Sequence, residues 1–60
     1  MVHEILKKLQ ERVGYADRRM NEEDRNGWED SVLYWAAYKN GVNAAIRDVE
    51  ALAAEAGYGR

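Results

Sequence analysis

Four residues of the 60-residue chain have the types and spacing of a binding surface: Lys8, Arg12, Tyr15 and Arg19. Steps of four, three and four place them in one narrow stripe of a helix, because each residue turns about 100°. Three cations around one phenol ring can grip phosphate oxygens while Tyr15 stacks on a base or sugar. The same stripe suits an acidic protein surface. Its ordinary reading is a solvated helix face, with Tyr15 partly covered by arginine stems.

A second group is aromatic: Trp28, Tyr34, Trp35 and Tyr38. Tryptophan and tyrosine anchor many interfaces, since each joins a large apolar body to a polar handle. Trp35 and Tyr38 are expected in the core. Trp28 and Tyr34 are the candidates for docking a partner.

Catalysis needs a constellation, and the residue types for one are missing. The only histidine, His3, stands near the start of the chain, and Ser31 has no histidine in register with it. Cysteine is absent, which excludes disulfides and thiolate metal sites. The acidic run Glu22-x-Asp24-x-Asn26-Gly27 has the outline of a calcium loop. Its twelfth position, however, is Leu33 rather than a bidentate glutamate, and its first is Glu rather than Asp. An acidic, helix-capping turn is the better reading. The expectation is a protein that is not an enzyme and needs no metal or cofactor.

Two long elements must carry these groups. Val2, Leu6, Leu9, Val13, Ala16 and Met20 alternate steps of four and three, a heptad seam along a helix from about residue 2 to 25. Glu4–Lys8, Lys7–Glu11, Arg18–Glu22 and Arg19–Glu23 are spaced to support it by a few tenths of a kcal/mol each. The Lys8–Arg19 stripe lies roughly 110° from the centre of that seam. A longer seam runs through Trp28, Ser31, Trp35, Tyr38, Val42, Ala45, Val49, Leu52 and Ala56. It predicts a second helix over 28–56, a rod of roughly 43 Å.

Between the helices, Asn26 and Gly27 tolerate the left-handed conformation that stops a helix. Gly57 stops the second, leaving Tyr58, Gly59 and Arg60 as a short tail. A break near Asn21, with NEEDRNG as a longer loop, is the alternative boundary. The fold class is therefore all-α: a single domain formed by an antiparallel two-helix hairpin. A turn at Asn26–Gly27 sets Met20 opposite Tyr34, Ala16 opposite Tyr38, Val13 opposite Val42, Leu9 opposite Ala45 and Leu6 opposite Val49. Gly14 and Gly41 then share a level, which suggests close backbone approach or a bend, unless both glycines are merely tolerated.

A hairpin of this size is short of core. The second helix is apolar on more than one stripe, with Leu33, Ala37, Ala44 and Ala51 well away from the seam. Such a helix is expected to be covered on most sides. Those four residues are the predicted oligomer interface, most simply of a two-fold dimer forming a four-helix bundle. A monomer whose alanines only favour helix is the bland alternative.

Net charge is −2, which counts against broad binding to nucleic acid or anionic membranes. No apolar run approaches the ~20 residues of a bilayer span. MVHEILKKLQ also lacks a secretory apolar region, so the expected place is the cytoplasm. The leading expectation is a small interaction module, an adaptor or inhibitor of a larger protein, acting as a homo-oligomer. The alternatives are a dimeric hairpin that binds RNA or a nucleotide through the basic-aromatic stripe, and a structural assembly subunit.

Overall fold

The computed structural model describes residues 1–57. Its two elements are α1, Val2–Arg25, and α2, Glu29–Glu55, packed against each other as a hairpin. The expected tail residues Tyr58, Gly59 and Arg60 lie outside the described residues.

The turn is a Schellman motif, and its chemistry explains why both helices stop where they do. Gly27 takes φ 75°, a left-handed conformation that a side chain would strain. This lets the Gly27 N–H reach the Asp24 carbonyl at 3.1 Å and the Trp28 N–H reach that of Glu23 at 2.9 Å. Two otherwise orphaned carbonyls of α1 are thereby satisfied. Helix α1 is continuous through Asn21, so NEEDRNG is not an extended loop. Trp28 stands just outside α2 as its N-cap, one residue short of the expected start, and its indole offers no capping oxygen. Glu29 and Asp30 compensate in the first turn, where carboxylates favour the positive end of the helix dipole. Ala56 is the C-cap of α2, and Gly57 follows it with φ 83°.

The apolar residues that the packing of the helices buries most completely are small. Ala16 is completely buried. Its chain neighbours Tyr15 and Asp17 contact Trp35 and Lys39 of α2, so a methyl group is all the interhelical space holds there. Gly14 and Gly41 serve no such purpose. A methyl group on Gly41 would meet nothing within 4 Å, and on Gly14 only Arg18 Nη1 at 3.7 Å, an ordinary contact. Neither has a positive φ. Close approach is therefore not what places glycine at these positions; the helices simply tolerate it.

The rod measures 45 × 15 × 12 Å, with a radius of gyration of 14.1 Å. A compact 60-residue chain would have a radius near ~10 Å. The hairpin exposes 4783 Å², whereas a compact monomer of its mass exposes about 4000 Å². Among the described residues, Ala16 and Ala53 are the buried apolar ones, and no large side chain is fully buried. One helix against one helix makes a seam, not an enclosed core. Neither helix is long and apolar enough to cross a membrane.

Candidate functional site

Trp35 is the centre of the most organised region. It projects from α2 one residue after Tyr34 and three before Tyr38, so all three rings leave the helix near one level. Tyr15 of α1 completes the cluster from the other side. The ring centroids of Tyr15, Tyr34 and Tyr38 lie 5.5, 5.0 and 5.5 Å from Trp35, at interplanar angles of 69°, 82° and 74°. These are edge-to-face arrangements, which set the positive edge of one ring against the negative face of another. Each contributes about 0.5–1.5 kcal/mol beyond its area burial.

Arg19 closes one side of this cluster. Its guanidinium carbon sits 5.7 Å from the Trp35 ring centroid. Nη2 donates to Glu23 Oε1 at 2.9 Å and Nη1 to Glu22 Oε2 at 3.4 Å. The Glu23 side chain is only 6% exposed, and this bond is what makes its burial tolerable. Arg19 Nε, also buried, has no partner. Arg19 is thus committed to a ring and two carboxylates, and it stands apart from the other three residues of its stripe.

Those three remain together. Lys8, Arg12 and Tyr15 line an open groove of ≈ 430 Å³ with Glu11 of the same helix and Tyr34, Trp35 and Tyr38 of α2. Arg12 Nη1 donates to Tyr38 Oη at 3.2 Å, bridging the helices across the groove. That hydrogen bond to the phenol oxygen raises the pKa of Arg12 above its ordinary value, although a guanidinium is charged with or without it. Lys8 reaches out beyond Arg12. Its side chain is 80% exposed, with Glu11 at a loose 3.9 Å. On the far flank, Lys39 Nζ donates to Asp17 Oδ1 at 2.6 Å, the other polar bridge between the helices among the described residues.

The two docking candidates part company. Tyr34, 61% exposed, belongs to the groove. Trp28, 58% exposed, stands at the tip beside Gly27, Glu29, Asp30 and Ser31. Leu33 is the most exposed large apolar residue of α2, at 68%, and borders a shallow hollow with Asp24, Gly27, Glu29 and Val32. Ala37 and Ala51 are exposed and Ala44 is half-buried. Among the described residues no group of three or more acidic or histidine side chains is placed to hold a metal ion.

Glu11, Trp35 and Tyr38 enter the groove without having been expected there. Trp35 and Tyr38 are assigned to the core by their seam positions, and both are half-buried. With only two helices, a seam residue forms the floor of a groove rather than the inside of a bundle. The hairpin register was the available signal, since it sets this ring-rich turn of α2 beside Tyr15 and Arg19.

Comparisons with known protein families, characterised proteins and solved structures find no match for this chain.

Proposed function

We propose that the chain is a small helical interaction module without catalytic activity, which dimerises into a four-helix bundle and serves as adaptor or inhibitor of a larger protein. The observation that carries this reading is the surface. The hairpin leaves roughly 800 Å² more exposed than a compact chain of its mass, about one partner's share of a standard interface.

The back of α2 is the natural seat for a second copy. Leu33, Ala37, Asn40, Ala44, Arg47 and Ala51 alternate steps of four and three, a third heptad seam on the side away from α1. Its alanines recur every seven residues and would let a second backbone come close. Antiparallel pairing centred near Val42 sets Leu33 against Ala51 of the second copy and Asn40 against Ala44. Large then meets small, Arg47 falling against Ala37, and the two polar residues Asn40 and Arg47 penalise other registers. The tip, with Trp28 projecting, stays outside this contact and is the part left to engage another protein.

Sedimentation at micromolar concentration should give twice the chain mass, and Ala44→Glu should return the mass to a single chain. A wild-type protein that sediments as a well-folded single chain would sink the dimer. Trp28→Ala should leave the dimer intact and abolish retention of the protein partner from the native host. Undiminished retention would move the docking surface elsewhere.

A further inference from the structure

We infer that the groove between α1 and α2 is a binding site for a nucleobase carrying a phosphate, as a free nucleotide or as part of single-stranded RNA. This goes beyond the dimer, since the groove lies on a different face from the back of α2.

Three features of the groove combine in that ligand. The first is flat aromatic surface open to solvent. Tyr15 is 44% exposed and Tyr34 61%, and both abut the Trp35 ring. Stacking on such rings is the sequence-tolerant way of holding a base. The second is positive charge that carboxylates leave largely open. Arg12 spends its hydrogen bond on the neutral oxygen of Tyr38, and Lys8 is held only loosely by Glu11. Elsewhere the cations that span or stabilise the hairpin, Arg19 and Lys39, are closed by carboxylates at 2.9 and 2.6 Å.

The third feature is a surplus of donors. The Tyr38 hydroxyl accepts from Arg12, which leaves its own proton to give. The same groove is lined by Lys8 and by Arg12 with its remaining N–H groups. A ligand that offered rings alone would leave these donors and two charges unanswered. One that offered phosphate alone would leave the rings bare. Glu11, on the same wall, disfavours the close packing of several phosphates and favours one phosphate beside one base. The groove's ≈ 430 Å³ falls within the range of small-ligand sites.

Trp35 is a built-in reporter. The chain has two tryptophans, so Trp28→Phe leaves Trp35 as the sole indole. In that background, adenosine monophosphate should quench Trp35 emission to saturation with an affinity below about 1 mM. Inorganic phosphate should compete without quenching. Lys8→Gln and Arg12→Gln should each weaken binding, by up to about fivefold for a solvent-exposed ionic contact. Arg12→Lys should keep most of it. Lys8→Gln touches no interhelical contact, so it remains informative even where Arg12→Gln loosens the hairpin.

A short oligoadenylate separates the sources. Much tighter binding, with a log–log salt slope near −0.7 per phosphate contacted, assigns RNA. Equal affinity per nucleotide assigns the free ligand. A flat titration with all three probes, in protein shown by circular dichroism to be helical, would overturn the proposal. So would quenching that ignores both Lys8→Gln and Arg12→Gln. Emission that follows protein concentration rather than nucleotide would overturn it too, because a second copy would then fill the groove. Sedimentation reports the dimer separately, so either idea can fail without the other.

Discussion

The two halves of the hairpin are held by different physics. Near the turn, Tyr15, Tyr34, Trp35 and Tyr38 interlock edge to face, Arg19 bridges Trp35 and Glu23, and Asp17 pairs with Lys39 across the helices. Toward the open end the covered residues are aliphatic, with Leu6, Leu9 and Val49 half-buried and Ala53 buried. There the described residues show no side-chain hydrogen bond between helices beyond Arg12–Tyr38. The first half has directional contacts that specify one register. The second has aliphatic contacts that hold any register roughly equally, with Ile5 and Leu52 left 43% and 64% exposed. Surplus apolar surface is found in both halves, since Trp28, Leu33 and Tyr34 near the turn are 58%, 68% and 61% exposed. The groove lies beside the specified half, while the alanine face that could take a second copy runs the length of α2.

This contrast can be broken most directly at its centre. Trp35→Ala removes three ring contacts and the partner of the Arg19 cation, and should cost about 3 kcal/mol. For so small a domain that is much of the total stability, so urea denaturation at fixed protein concentration should find the variant largely unfolded. A loss below about 1 kcal/mol would mean that the rings decorate the hairpin rather than hold it.

The open half should respond less. Leu9 is only half-buried, so Leu9→Ala should cost about 2 kcal/mol, at the low end of leucine truncations. Amide exchange should show the same gradient, with the last turns of α2 opening before the turns around Trp35. Equal protection at the two ends would erase the contrast.

Gly41→Ala tests the middle and should raise stability by about 1 kcal/mol, since its space is open and glycine is a poor helix former. A loss would show that something packs against Gly41 in the assembled protein. Asp17→Asn should have the smallest effect, about 0.5 kcal/mol at low salt and less at high salt. The pair it breaks is half-exposed and screened.

The helices and their turn were legible because they rest on local rules. Alternating three- and four-residue steps of apolar residues, and an Asn-Gly pair between them, suffice for two antiparallel rods. Trp28 was misplaced by one residue because seam periodicity cannot tell a cap from a first turn; backbone geometry decides that.

The candidate site was legible only in part. Lys8, Arg12 and Tyr15 share a stripe whatever they pack against, and they stay together. Arg19 belongs to the same stripe by spacing and lies over the Trp35 ring, yet its bonds to Glu22 and the buried Glu23 consume its charge. That competition is between contacts on two helices, and no periodicity contains it. The paired glycines show the opposite error, a coincidence of level read as close approach where the helices leave open space.

By itself the sequence determined that this protein is a pair of amphipathic helices joined by a glycine turn, because helix periodicity and the left-handed preference of glycine act over a few residues. Only the tertiary structure decided which cations are spent on internal pairs and which remain in the groove, and that Trp35 forms its floor rather than the centre of a core. Those outcomes depend on distances between residues some 20 positions apart, which the packing of the two rods sets.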